Sequence, residues 1–166
     1  MPSKIKIGIS SCLLGINVRY DGGNKLDHYI LDTFDRIVEW VPICPEVESG
    51  MPVPREPMQL VGNVVKPRLI TIETRIDRTD ELTRWIGSKL KQLEQAGLRG
   101  FVLKARSPSC GVHDAELFSI SGESIGVRPG LFADAVMNRF SSVPVEDEEG
   151  LRDPRTREQF LARISA

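Results

Sequence analysis

Short apolar runs rich in β-branched residues alternate along this chain with apolar stripes at helical spacing, and that alternation restricts the fold more than any other feature. Ile5–Ser10, Arg36–Ile43 and Phe101–Leu103 read as strands of the core, with shorter strands expected over Met58–Val61, Leu69–Glu73, Ala115–Ile120 and Val143–Val145. Leu82, Trp85, Ile86, Leu90 and Leu93 share one face of a helix expected over Asp80–Ala96, with Thr79 as its N-cap and Gly97 at its stop. Further helices are expected over Lys25–Asp35, Leu131–Phe140 and Arg155–Ile164. Strands that alternate with helices favour a mainly parallel sheet covered on both faces. The expected fold class is α/β: a single domain over residues 1–166, its sheet flanked by helices.

Composition excludes several classes of function. Lys and Arg number 22 against 23 Asp and Glu, a balance that lacks the basic signature of a general nucleic-acid binder. The start Met1-Pro2-Ser3-Lys4 shows no charged n-region ahead of an apolar stretch, and no apolar run approaches a membrane span. A cytoplasmic protein with no membrane partner is expected. Three cysteines, an odd number, argue against a disulfide framework in such a chain.

Those cysteines carry the sharpest signal. Cys12, Cys44 and Cys110 are too far apart in sequence for a CxxC motif, yet each follows an apolar strand by a few residues. Ligands of open parallel sheets bind beyond the carboxyl ends of strands, so neighbouring strands would deliver all three thiols to one crevice. A free cysteine more often serves as a small buried hydrophobe. Here the company is polar and turn-forming: Ser10-Ser11, Pro45-Glu46 and Ser107-Pro108-Ser109. Three thiolates suit zinc with an open position, or an iron–sulfur cluster with one iron lacking a protein ligand. His28 and His113 are candidate fourth ligands, ranked below an open position. The breaker-rich stretch Glu46–Pro57, with Gly50, Pro52, Pro54 and Pro57, reads as a functional loop.

The motifs Ser10-Ser11-Cys12-Leu13-Leu14-Gly15, Arg19-Tyr20-Asp21-Gly22-Gly23, Cys44-Pro45-Glu46, Pro52-Val53-Pro54-Arg55-Glu56 and Lys104-Ala105-Arg106-Ser107-Pro108-Ser109-Cys110-Gly111 together resemble the thiouracil desulfurase family. They occur in family order and span residues 4 to about 137. The resemblance implies a [4Fe–4S] cluster held by Cys12, Cys44 and Cys110, with the fourth iron open. It implies that 4-thiouracil is converted to uracil and hydrosulfide without net redox change, with Glu46 as acid/base and Ser107, or Ser109 close behind it, as a second catalytic group. Arg19, Arg55 and Lys104 are candidates for holding a polar or anionic substrate edge. Tyr20 and Asp21 are expected to shape the loop over the site.

The segments from Gly130 to Ala133, Pro144 to Glu146 and Leu151 to Arg155 resemble a two-domain variant associated with thiouridine in transfer RNA. The second domain of that variant is expected to be absent, so the chain works alone on a free base or nucleoside or is part of a larger system; the near-neutral charge favours a small thiolated pyrimidine over thiolated tRNA bound without a partner domain. A sulfur or cluster carrier without turnover is the alternative function, and it has no need of Glu46. A zinc hydrolase on the same thiolates is a weaker third.

Overall fold

The computed structural model describes residues 3–166. At its centre is β1 (Ile5–Ser10), paired in parallel with β2 (Val38–Ile43) on one side and β5 (Gly100–Leu103) on the other; β8 (Val145–Asp147) extends this sheet beyond β5. Every pairing in it is parallel, so each connection crosses over a face of the sheet. The crossovers carry α1 (His28–Phe34), α3 (Thr79–Gln95) and α4 (Leu131–Arg139), and α5 (Pro154–Ser165) closes the chain.

Alternation along the strands builds two cores. Phe101 and Leu103 of β5 face a cluster with Ile43, Leu82 and Phe132, whereas Val102 faces the opposite one with Ile7, Ile9, Ile30, Phe34 and Phe160. Each such side chain contributes about 1.5–3 kcal/mol by leaving water. Gly8 lets β1 approach the Phe101 ring: a Cβ there would lie 2.7 Å from Phe101 Cδ1. The parallel, helix-flanked sheet is the one read from the alternation.

A second sheet joins it. Its order is β4 (Pro67–Thr71), β3 (Met58–Gly62), β6 (Ala115–Phe118), β7 (Ser124–Arg128), two antiparallel hairpins sharing a parallel β3–β6 seam. The sequence reading held the strands of this excursion except β7, whose Ile125 and Val127 are exposed, so the strand carries no burial periodicity. Boundaries shift for local reasons. Asp27 caps α1 by accepting the Ile30 N–H at 2.9 Å, which leaves Lys25 and Leu26 outside the helix. Thr79 is not the N-cap of α3: Arg78 holds that position, and the Thr79 hydroxyl instead accepts the Leu69 N–H at 2.7 Å, tying the helix to β4. Pro144 has no N–H to give a ladder, and β8 begins after it. The stretch read as an irregular loop opens with one helical turn, α2 (Pro45–Glu48). Among the described residues no helix is long and apolar enough to cross a membrane.

Candidate active site

The chain leaves β1 for β2 on one side and returns as β5 on the other, so a crevice opens beyond the carboxyl ends of these three strands. It is a cleft of about 340 Å³, and it is lined by Cys12, Cys44, Cys110, Glu46, Ser107, Ser109, Arg19, Arg55 and Lys104. The structure thus brings these nine candidates to one place, along with Tyr20, Ser10 and Ser11. His28 and His113 are not in its wall. His28 is exposed at the start of α1, and His113 is exposed near Asp114 and the buried Asp147.

Each thiol is placed by its own turn. Cys12 sits in a 3-10 turn, Ser11–Leu14, that follows β1 directly; Gly15 ends it at φ +87°, and the Cys12 carbonyl accepts the Lys25 N–H at 2.9 Å. Cys44 precedes α2, and its N–H donates to Glu48 Oε2 at 2.8 Å. Cys110 lies beyond a turn organised by Ser107, whose Oγ accepts the Ser109 N–H at 3.1 Å and the Cys110 N–H at 3.0 Å. Arg106 occupies the left-handed region at φ +65°, held there by its N–H on Asp114 Oδ1 at 2.8 Å. The N-terminal turn of α4 docks on the same loop, Phe132 and Ala133 donating to the Ser109 carbonyl at 2.9 and 3.1 Å.

Glu46 is gripped from both ends. Oε1 accepts Arg55 Nε at 2.9 Å, and Oε2 accepts the Ser109 hydroxyl at 2.8 Å. The Glu46 and Arg55 side chains are only 13% and 9% exposed, so water screens the pair little. Arg55 also donates to the carbonyls of Val18 at 2.9 Å and Pro52 at 3.2 Å, and its N–H reaches the Tyr20 carbonyl at 2.8 Å. The mouth loop Val18–Tyr20 and the Glu46 carboxylate are therefore fastened by one residue. Arg19 lies over the Tyr20 ring at 5.7 Å. Lys104 Nζ is paired with Glu148 Oε2 at 2.8 Å and donates to the Ala105 carbonyl at 3.1 Å.

Burial pushes all three thiols above their ordinary range, Cys110 most strongly. Arg19 and Lys104 pull Cys12 partly back, and the Val47 N–H does so for Cys44. Cys110 feels the other two as like charges, which places the trio within electrostatic reach of one another. The three sulfurs do not all lie within 4.8 Å of one another; among the described residues, the trio of possible ligands that does is His113, Asp114 and Asp147. Buried thiols that repel one another as thiolates favour a cationic guest, because a bound metal supplies the missing positive charge.

Glu148 was not singled out from the sequence. Its signal was positional: it follows the carboxyl end of β8 as the cysteines follow β1, β2 and β5.

The family model for 2-thiouracil desulfurase matches residues 7–148. YbbK, described as an uncharacterized protein of Bacillus subtilis (strain 168), is 30% identical over 135 residues, which is 76% of this chain and 89% of that one. Among solved structures, one described as the [4Fe-4S]-dependent thiouracil desulfidase TudS has a TM-score of 0.68 and 30% identity, covering 94% of this chain and 99% of its own.

Proposed function

The chain belongs to the 2-thiouracil desulfurase family, and from that premise we propose that it hydrolyses the carbon–sulfur bond of a thiolated pyrimidine at a [4Fe–4S] cluster held by Cys12, Cys44 and Cys110. The observation that carries this reading is the convergence of three thiols and a Glu46–Ser109 hydrogen bond on one cleft. A volume of about 340 Å³ stands at the small end of ligand pockets, roughly 300–1,000 Å³, and suits a single base.

The donor set fits the cluster. Thiolates are its usual ligands, and neither histidine lines the cleft as a fourth. A tetrahedral zinc ion, with Zn–S of about 2.3 Å, would hold its sulfurs roughly 3.8 Å apart. When bound, the cluster supplies a soft Lewis-acidic iron that polarises the thiocarbonyl carbon.

The chain's own groups supply the proton transfers. Glu46 takes a proton from the attacking water, and Ser109, hydrogen-bonded to it and adjacent in sequence to Cys110, lies on a short path for that proton toward the departing sulfur. Water oxygen replaces sulfur on the ring carbon, sulfur leaves as hydrosulfide with one proton, the other proton is released, and no electrons are exchanged. Ser107 spends its oxygen on two backbone N–H groups and shapes the loop, so Ser109 is the better catalytic choice. Arg55 orients Glu46, and Lys104 is already paired; Arg19 and Tyr20 are left to meet substrate at the mouth. A carrier would have no use for the Glu46–Ser109 pair.

The test is anaerobic reconstitution with iron and sulfide, then parallel assay on 2-thiouracil, 4-thiouracil, 4-thiouridine and thiolated tRNA. Loss of thiocarbonyl absorption with release of hydrosulfide is expected, fastest for a free base or nucleoside. Full activity in Cys44→Ser, or zinc in place of iron and acid-labile sulfide, overturns the reading.

A further inference from the structure

Lys104 and Glu148 form an ion pair buried at the rim of the cleft, with side chains 11% and 9% exposed. Burying two charges costs more than an apolar pair of the same size, so such a pair is weak evidence for stability and invites another explanation. Its wiring is specific. Glu148 Oε2 holds Lys104 Nζ at 2.8 Å, while Oε1 accepts the Ala105 N–H at 2.7 Å. The Lys104 N–H in turn donates to Ser10 Oγ at 2.8 Å, two residues before Cys12. The Lys104 backbone is thereby tied to β1, and its ammonium is held by Glu148 after β8 and by the Ala105 carbonyl after β5.

The cleft is charged unevenly. Cys44 has Glu46 and Arg55 as charged neighbours, a pair that offset one another. Lys104 follows β5, whose neighbour β1 leads into Cys12, and its backbone N–H is bonded to Ser10 of β1, whereas Cys44 follows β2 on the far side of β1; with Arg19 it lines the Cys12 end of the cleft.

We propose that Glu148 is a positioning residue that pins the Lys104 ammonium on the Cys12 side of the cleft, as a fixed positive charge where anionic sulfur collects. The anions are the ligand thiolates and the hydrosulfide that the reaction releases, so the inference rests on the desulfurase reading.

The reduction potential of the reconstituted cluster serves as a gauge of local charge, since a nearby cation favours the more negative, reduced state and raises the potential. The full chain is reconstituted anaerobically as wild type, Glu148→Gln, Lys104→Met and the double variant, and each is titrated by absorption and electron paramagnetic resonance. Lys104→Met lowers the potential. Glu148→Gln removes a negative charge and by that alone would raise it; because Lys104 loses its anchor, a fall is expected, with the double variant matching Glu148→Gln. A rise in Glu148→Gln overturns the inference. Should that protein not fold, Glu148→Asp keeps the charge but withdraws it by one methylene: a fall is again expected, and no change overturns the inference. A wild type that takes up no iron overturns the desulfurase reading and the inference together; a cluster whose potential moves the wrong way overturns the inference alone.

Discussion

Glu46 joins its own turn after β2 to Arg55 in the proline-rich stretch and to Ser109, far along the chain beside Cys110. Glu46→Gln keeps the shape and removes the base, so in the proposed reaction turnover falls by about 10²–10⁴-fold, while iron bound per chain stays at the wild-type level. Single-turnover assay paired with iron analysis checks both halves. Arg55→Ala leaves the Glu46 carboxylate buried without its ion partner, a change that costs about 3–5 kcal/mol. Urea unfolding is expected to show that loss, and Arg55→Lys to recover only part of it, because an ammonium cannot reach Glu46, Val18 and Pro52 at once. From the sequence Arg55 was a candidate for holding a substrate edge; its grip on Glu46 was not visible there. Of its acceptors, Val18 lies 37 residues away, on a segment that only folding brings to it.

At the level of elements, the loop from Lys104 to Cys110 depends on what packs behind it. Gly130, just before α4, permits the helix to press on that loop: an added Cβ would meet the Ser109 carbonyl carbon at 2.5 Å, its oxygen at 2.7 Å and the Cys110 nitrogen at 2.9 Å. All three are backbone atoms with little room to yield. Gly130→Ala is therefore expected to destabilise by about 1–3 kcal/mol and to reduce cluster retention without changing a ligand. Thermal unfolding and iron content measure the two effects, and wild-type values in both would contradict this account of the loop. The helical stripe of α3 was plain in the sequence, with Leu82, Ile86 and Leu93 buried as the spacing implied. Its start was not, because the Thr79 hydroxyl satisfies β4 instead of its own helix. Local propensity names the capping residue types, but a strand passing nearby can claim the same oxygen.

Across the whole molecule, the thiols link folding to pH. Burial lifts Cys12, Cys44 and Cys110 above the ordinary thiol value of 9.0, so the unfolded chain loses their protons first as pH rises. The metal-free fold thus keeps its full stability below that value and loses it progressively above. Its melting temperature is expected to fall above about pH 9, and Cys110→Ala, which removes the most strongly raised thiol, to flatten that decline. Cluster loading should abolish the effect at these positions, since the guest holds the sulfurs as thiolates in the native state. Melting curves across pH, with and without reconstitution, distinguish the two forms.

Strand–helix alternation and the matched contexts of three cysteines are local patterns: each reports which face of an element is buried or which turn ends it, and neighbouring residues suffice to specify them. The α/β class and the gathering of Cys12, Cys44 and Cys110 were legible for that reason. The order of the strands is a different kind of fact. It arises from which crossovers pack best, and it alone set a second sheet against the first, turned Ser109 toward a carboxylate 63 residues away, and paired Lys104 with an acid from the end of the fourth strand. Those contacts are chosen by the packing of entire layers, a sum over distant side chains that no short window of sequence contains.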